Sequence, residues 1–373
     1  MSSPRIEVDL CKIRHNTQMI ARGLNVRGIG LTGVTKAVCG HPAIAQAMLD
    51  GGAGGLADAR LSNVERMRKA GMTDPITLIR TPMLSQADRV VKFCETSYNT
   101  EIVVIAALAS AAIRRDTVHG IILMVEMGDQ REGILPENLA DIALQVLKMS
   151  GVVLKGIGAN FACFIGQAPN ASQMSALSLL ANEIEGLCGP VIQTVSGGNS
   201  ANLPWALGKP HAGRINDLRL GEAILLGVDP LSGDRIGEMH TDAFTLVAEV
   251  IETGIAPAAT KVALVDPALA KLHVRAGGED VARLILAIGH QDTDISGLTM
   301  PVGITLIGAT SDHLVVEAKQ PAPRLGAEMS FQVNYKALMH AMAAPDVETK
   351  LFDDRSSGRS RHTQGKAEHL TLV

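Results

Sequence analysis

Apolar residues in this chain come in two rhythms: short unbroken runs rich in Val, Ile and Leu, and longer stretches where they recur every third or fourth position. Residues 5–10 alternate as a short strand, and Asp9 stands where a helix cap belongs for residues 11–24. A strand–turn–helix unit then repeats. Its strands fall at 26–35, 55–57, 76–79, weakly near Ser97, at 120–126, 152–158, 191–195 and 217–219, followed by helical stretches at 43–49, 62–70, 85–93, 101–113, 136–149, 172–185, 201–207 and 221–226. About eight such units is the number that closes a parallel barrel.

After Asp229-Pro230-Leu231-Ser232-Gly233 the rhythm changes. Short strands are predicted at 244–251, 261–265, 283–288, 303–307, 314–317 and 329–335, separated by Gly, Pro and Asp. The expected fold class is α/β, a TIM-like (β/α)8 barrel followed by a smaller, mostly antiparallel β domain. Residues 1–232 form the barrel, with 1–10 as a strand joining the β domain; 233–345 form that domain; and 346–373, where apolar residues thin out, read as a flexible tail. An open doubly wound sheet is the competitor, but no GxGxxG follows the first strand, and Gly51-Gly52-Ala53-Gly54-Gly55 reads as a tight helix-to-strand turn.

Composition narrows this picture. Hydrophobic residues make up 46% of the chain and aromatics only 2%, so the core is built from Ala, Val, Ile, Leu and Met, as when alanine-rich helices cover aliphatic strands. A net charge of −4 with mixed signs offers no basic stripe for nucleic acid. Five scattered cysteines without a CxxC suit a reducing compartment. No apolar run reaches membrane-spanning length and no leader-like segment precedes Pro4, so the expectation is a cytoplasmic enzyme with neither membrane nor nucleic-acid partners.

Four clusters fall at the carboxyl ends of predicted strands, the face where barrels bind ligands. Val34-Thr35-Lys36-Ala37-Val38-Cys39-Gly40 offers an amine that can form a Schiff base with an aldehyde cofactor and later move a proton. Glu126 to Gly133 places Arg131 beside a tight turn, where pairing with a neighbouring carboxylate is the competing use. Ser196-Gly197-Gly198-Asn199-Ser200 sets hydroxyls and bare amides before a helix, a ready anion site. Leu218-Arg219-Leu220-Gly221-Glu222 adds a second cation and more amides. An amine, an anion cradle and two guanidinium groups on one face match the needs of pyridoxal 5'-phosphate.

With Arg131-Glu132-Gly133 and Ser311-Asp312-His313, these segments resemble the alanine/ornithine racemase family of fold-type III pyridoxal-phosphate enzymes, nearly end to end from Glu7 to Tyr335. The resemblance implies an aldimine at Lys36. It implies phosphate held by Ser200 and the main chain around Gly198, Gly221 and Glu222, within the loop that also carries Ser196 and Asn199. It further implies Arg219 against the pyridine nitrogen, Arg131 near the ring hydroxyl and Asn160 beside the ring. Because a guanidinium does not surrender its proton, Arg219 favours racemisation over transamination. The expected activity is therefore interconversion of L- and D-amino acids of the ornithine, lysine, serine or alanine kind, in a head-to-tail homodimer.

Racemisation needs a second acid/base opposite Lys36. The family's tyrosine has no counterpart in residues 258–271, the chain's two tyrosines being Tyr98 and Tyr335. Asp312 and His313 lead the remaining candidates, followed by Asp292, Asp266 and Cys163. Two alternatives stay open: a metal-assisted lyase such as a D-threonine aldolase, suggested by His290-x-Asp292, and a non-catalytic pyridoxal-phosphate carrier.

Overall fold

The computed structural model describes residues 4–162, 164, 166–208, 213–256, 281–319 and 321–353. Strand β1 (Arg5–Asp9) is followed by eight strands that pair in order and close on themselves. They are β2 (Gly30–Val34), β3 (Gly55–Asp58), β4 (Ile76–Leu78), β5 (Thr96–Asn99), β6 (His119–Val125), β7 (Val152–Ala159), β8 (Thr194–Ser196) and β9 (Asp217–Leu220). All eight pairings are parallel, as a (β/α)8 barrel requires. Around them lie α1 (Leu10–Asn25), α2 (Pro42–Asp50), α3 (Leu61–Lys69), α4 (Ala87–Phe93), α5 (Ile102–Arg114), α6 (Pro136–Leu147), α7 (Ala171–Cys188), α8 (Leu203–Leu207) and α9 (Glu222–Leu226).

The local causes are readable. Strand β6 is buried at every position, so its sequence HGIILMV needs no polar alternation. Helix α5 is rich in alanine and turns Ile105, Leu108, Ala109, Ala111 and Ala112 to the strands, small side chains that let a helix lie close against a sheet. Asp9 caps α1 by accepting from the Lys12 amide, 3.1 Å away. Inside the barrel Tyr98, Ile122 and Met124 form their own apolar cluster, apart from the large one under the helices.

The remaining strands form one further sheet in which antiparallel pairing dominates: β10 (Phe244–Ala256), β11 (Val281–Leu286), β12 (Leu298–Thr299), β13 (Ile304–Ala309), β14 (Leu314–Ala318), β15 (Glu328–Val333) and β16 (Glu348–Phe352). Strand β1 sits between β10, which it meets antiparallel, and β16, which runs parallel to it. Three expectations need correction. Residues 26–29 are the turn after α1 and not part of β2. Tyr335 does not end a strand: the Asn334 side chain caps the Ala337 amide and opens helix α10 (Tyr335–Ala341). Residues 346–353 do not belong to a tail, because Glu348–Phe352 is a strand paired with β1. The expected strand at 261–265, the region 258–271, Asp266, Cys163 and residues 354–373 lie outside the described residues. Among the described residues no helix is long and apolar enough to cross a membrane.

One buried histidine makes the barrel sensitive to acid. His119, 1% exposed at the start of β6, shares a 2.8 Å hydrogen bond with the Ser97 hydroxyl, and burial pulls its pKa from 6.5 down to about 4. The folded ring therefore stays neutral where the unfolded one is already charged. Its contribution to stability is present above pH 6.5 and is lost as pH falls towards 4. The full effect is about 3 kcal/mol. Urea titrations at pH 7 and pH 4.5 should show a steep acid loss in the parent and a shallower one in His119→Gln; equal losses would remove His119 as the cause.

Candidate active site

At the carboxyl ends of the strands a cavity of about 1420 Å³ opens, walled on the barrel side by Lys36, Arg131, Asn160, Asn199, Ser200, Arg219, Gly221 and Glu222. Its opposite wall comes from the β domain and its connection, through Asp229, Arg235, Ser296, Thr299 and residues 332–336. Sequence reading placed the first group in one site; it had no sign of the second.

Lys36 opens a single 3-10 turn directly after β2. Its neighbour Thr35 is fully buried and donates to Asp58 Oδ2 at 2.7 Å, while Asp58 also accepts from the Arg60 amide at 2.8 Å and from Asn63 at 3.0 Å. Burial pushes the Asp58 carboxyl above its usual range against the pull of these bonds. The turn reverses through Cys39 (φ 52) and Gly40 (φ 62), both left-handed, and a Cβ on Gly40 would stand 2.7 Å from Asn63. Helix α10 packs on the same turn. The amine is thus carried on a backbone held by its neighbours, and its side chain is exposed to the cavity.

Arg219 is the most constrained side chain of the site. It is 4% exposed; Nη1 donates to Tyr98 Oη at 3.1 Å and Ser196 Oγ at 2.5 Å, and Nη2 to the Ala159 carbonyl and Asn160 Oδ1, each at 2.8 Å. The guanidinium also lies over the Tyr98 ring, 4.6 Å from its centre. Of its five N–H groups four are engaged, and the fifth, on Nε, has no partner among the described residues and is left for whatever the cavity holds. Asn160 passes the network on, its Nδ2 donating to Glu132 at 3.0 Å, and Glu132 in turn grips the Arg131 guanidinium. The carboxylate pairing weighed against a site role for Arg131 therefore exists, and Arg131 still lines the cavity.

The glycine-rich loop divides its labour. Ser200 is 5% exposed, borders the cavity and accepts from the Ala223 amide at 3.2 Å, tying the loop to α9. Asn199 caps the following turn and donates to the Phe161 carbonyl at 2.8 Å. Gly198 has φ 118 and a Cβ there would come within 2.3 Å of Asn202 Oδ1, so only glycine fits. Ser196 was expected in the anion cradle, but it ends β8 with its hydroxyl turned inwards to Asp217 and Arg219. The carboxyl of Glu222 is raised chiefly by burial, an effect the Lys36 charge partly offsets.

Asp292, Asp312 and His313 are not brought to this cavity within one chain. Asp292 accepts from the Gly289 amide at 2.8 Å, and burial raises its carboxyl. Asp312 accepts from Ser311 Oγ at 2.5 Å and from Gln291 at 3.2 Å, and His313 follows it on an exposed turn. Among the described residues no group of three His, Cys, Asp or Glu side chains is placed to hold a metal ion. Sequence reading missed Asp217, Thr32 and the part played by Tyr98.

Comparison with known proteins adds four findings. Residues 8–230 match the alanine racemase N-terminal domain family. The chain is 31% identical over 363 residues to the ornithine racemase of Acetoanaerobium sticklandii, covering 94% of this chain and 99% of that one. It is 32% identical over 364 residues to the lysine racemase of Thermotoga maritima, covering 93% and 98%. In three dimensions it superposes on the alanine racemase of a D-cycloserine-producing Streptomyces lavendulae with a TM-score of 0.76 at 17% identity, covering 95% and 98%, a likeness of fold.

Proposed function

The chain belongs to the alanine racemase family and is an amino-acid racemase, and from that premise we propose that it interconverts the two hands of a diamino acid of the ornithine or lysine class, using pyridoxal 5'-phosphate bound in the barrel mouth. One observation carries the cofactor: a single cavity gathers the Lys36 amine, the Ser200 loop and the unengaged Nε–H of Arg219. For the substrate class, the two full-length relatives act on ornithine and lysine, and the cavity wall holds the carboxylates of Glu132, Glu222 and Asp229.

The residues present fit that cofactor. Ser200 and the main chain around Gly198, Gly221 and Glu222 would hold its phosphate, with Asn199 spent on shaping the loop, its amide donating to Asn202 Oδ1; Arg219 Nε would face the ring nitrogen, and Arg131 and Asn160 would flank the ring. When bound, pyridoxal phosphate withdraws electrons from the substrate and makes the Cα proton acidic. Lys36 would hold the cofactor and carry that proton on one side. Arg219 keeps its own proton, which limits side reactions.

The opposite side needs a second carrier. Asp312 and His313 reach such a cavity only across a subunit boundary, so a head-to-tail homodimer is part of the proposal, with Asp292 as the alternative carrier. Neither Lys36→Ala nor a double Asp312→Asn/His313→Ala variant should be active alone, whereas their co-expressed hybrid should regain turnover. A dead hybrid would remove the shared site. The four described cysteines are all free, in keeping with a cytoplasmic setting, which cell fractionation would test.

Incubated in heavy water with pyridoxal phosphate and either hand of ornithine or lysine, the protein should exchange the Cα hydrogen and generate the other hand. No exchange with any diamino acid, alongside exchange of alanine or serine, would remove the substrate assignment.

A further inference from the structure

Resting on the reading above, we propose that Asp217, acting through Ser196, is a positioning residue for Arg219, and that Ser196 serves the guanidinium and not a bound phosphate. Ser196 is fully buried at the end of β8. Its one proton goes to Asp217 Oδ2 at 2.5 Å, which leaves its lone pairs to accept Arg219 Nη1 at 2.5 Å. A hydroxyl used in this way cannot also donate to an anion in the cavity. Arg219 makes no direct ion pair among the described residues, and a buried guanidinium without compensation is strongly unfavourable. The negative charge of Asp217 reaches it through one hydroxyl.

The carboxylate itself cannot turn away. Its other oxygen, Oδ1, accepts from Thr32 Oγ1 on β2 at 2.6 Å. Asp217 therefore joins β8, β9 and β2 where β8 and β9 share only the Ser196↔Asp217 pair, against four pairs between β9 and β2. Two roles overlap here, closing the barrel and aiming Arg219. They separate by residue, because Thr32 takes part only in the first, whereas Ser196 takes part in both and alone touches Arg219.

The test is titration of the apoprotein with pyridoxal phosphate, followed by absorbance, with thermal melting of the same samples. Ser196→Ala and Asp217→Asn should each weaken cofactor binding about 10- to 100-fold, the range of one charged hydrogen bond. The double variant should bind no worse than the weaker single one, Ser196→Thr should bind as the parent does, and Thr32→Val should melt lower while binding normally. A Ser196→Ala variant that binds like the parent, or a Thr32→Val variant that binds as poorly as Asp217→Asn, would overturn the assignment. A parent that takes up no cofactor removes the proposed function and this inference with it; a parent that binds, beside a Ser196→Ala variant that binds equally, removes this inference alone.

Discussion

Replacing Lys36 with alanine should abolish racemisation while leaving the fold intact. The loss expected is at least about 10³- to 10⁴-fold, because one change removes both a covalent anchor and a proton carrier. Little structural loss should accompany it. The side chain is exposed to the cavity, while the turn beneath it is fixed by Thr35, Asp58, Asn63 and Gly40 and not by the amine. Borohydride treatment should attach the cofactor covalently to the parent and leave Lys36→Ala unlabelled, with both proteins melting alike. Arginine is no substitute, since a group that is always protonated can neither condense with an aldehyde nor accept a proton. Activity within tenfold of the parent would show that the chemistry lies elsewhere.

Arg219→Ala should be the most damaging change to stability and activity together. The substitution deserts Tyr98, Ser196, the Ala159 carbonyl and Asn160 at once, in a place with almost no solvent. The expected cost is about 3 to 5 kcal/mol, read as a shifted denaturation midpoint, with cofactor uptake lost as well. Arg219→Lys should recover part of the stability and little of the cofactor binding, because an ammonium has three donors around a point where the guanidinium has five in a plane. A variant that keeps the parent's midpoint would mean that the network is not holding the barrel mouth.

The barrel was legible because its signal is periodic and local: aliphatic runs such as β6 and alanine-rich stretches such as α5 declare themselves within a dozen residues. Edges were less clear. Strand β8 was expected at 191–195 and stands at Thr194–Ser196, because the apolar start of that run, Val191 and Ile192, packs before the strand begins. Strand β16 carries Glu, Thr and Lys and borders only β1, so its composition resembled a solvated tail. Helix α10 could have been found from Asn334 followed by good helix formers.

For the site, residues just after strand ends were legible, since the barrel's geometry sends them all to one face. Their partners were not. Tyr98 and Arg219 lie 121 residues apart, and Ser196 and Arg219 share a bond only because β8 and β9 are neighbours in a closed sheet. The inward aim of Ser196 depends on the strand running one residue further than its apolar run, a detail that no spacing of glycines reveals.

The placement of β1 constrains how this protein can be made and cut. Ile6 and Val8 are wholly enclosed between β10 and β16, and the Arg5 guanidinium meets Glu328 Oε1 at 2.5 Å across 323 residues of chain. Strand β1 must therefore wait for residues 244–352 to be synthesised before it finds all its neighbours, long after the last barrel strand, Asp217–Leu220, has been made. A polypeptide cut short after α9 would carry that segment as an unmatched edge, so severing the chain at the apparent seam would yield two incomplete halves.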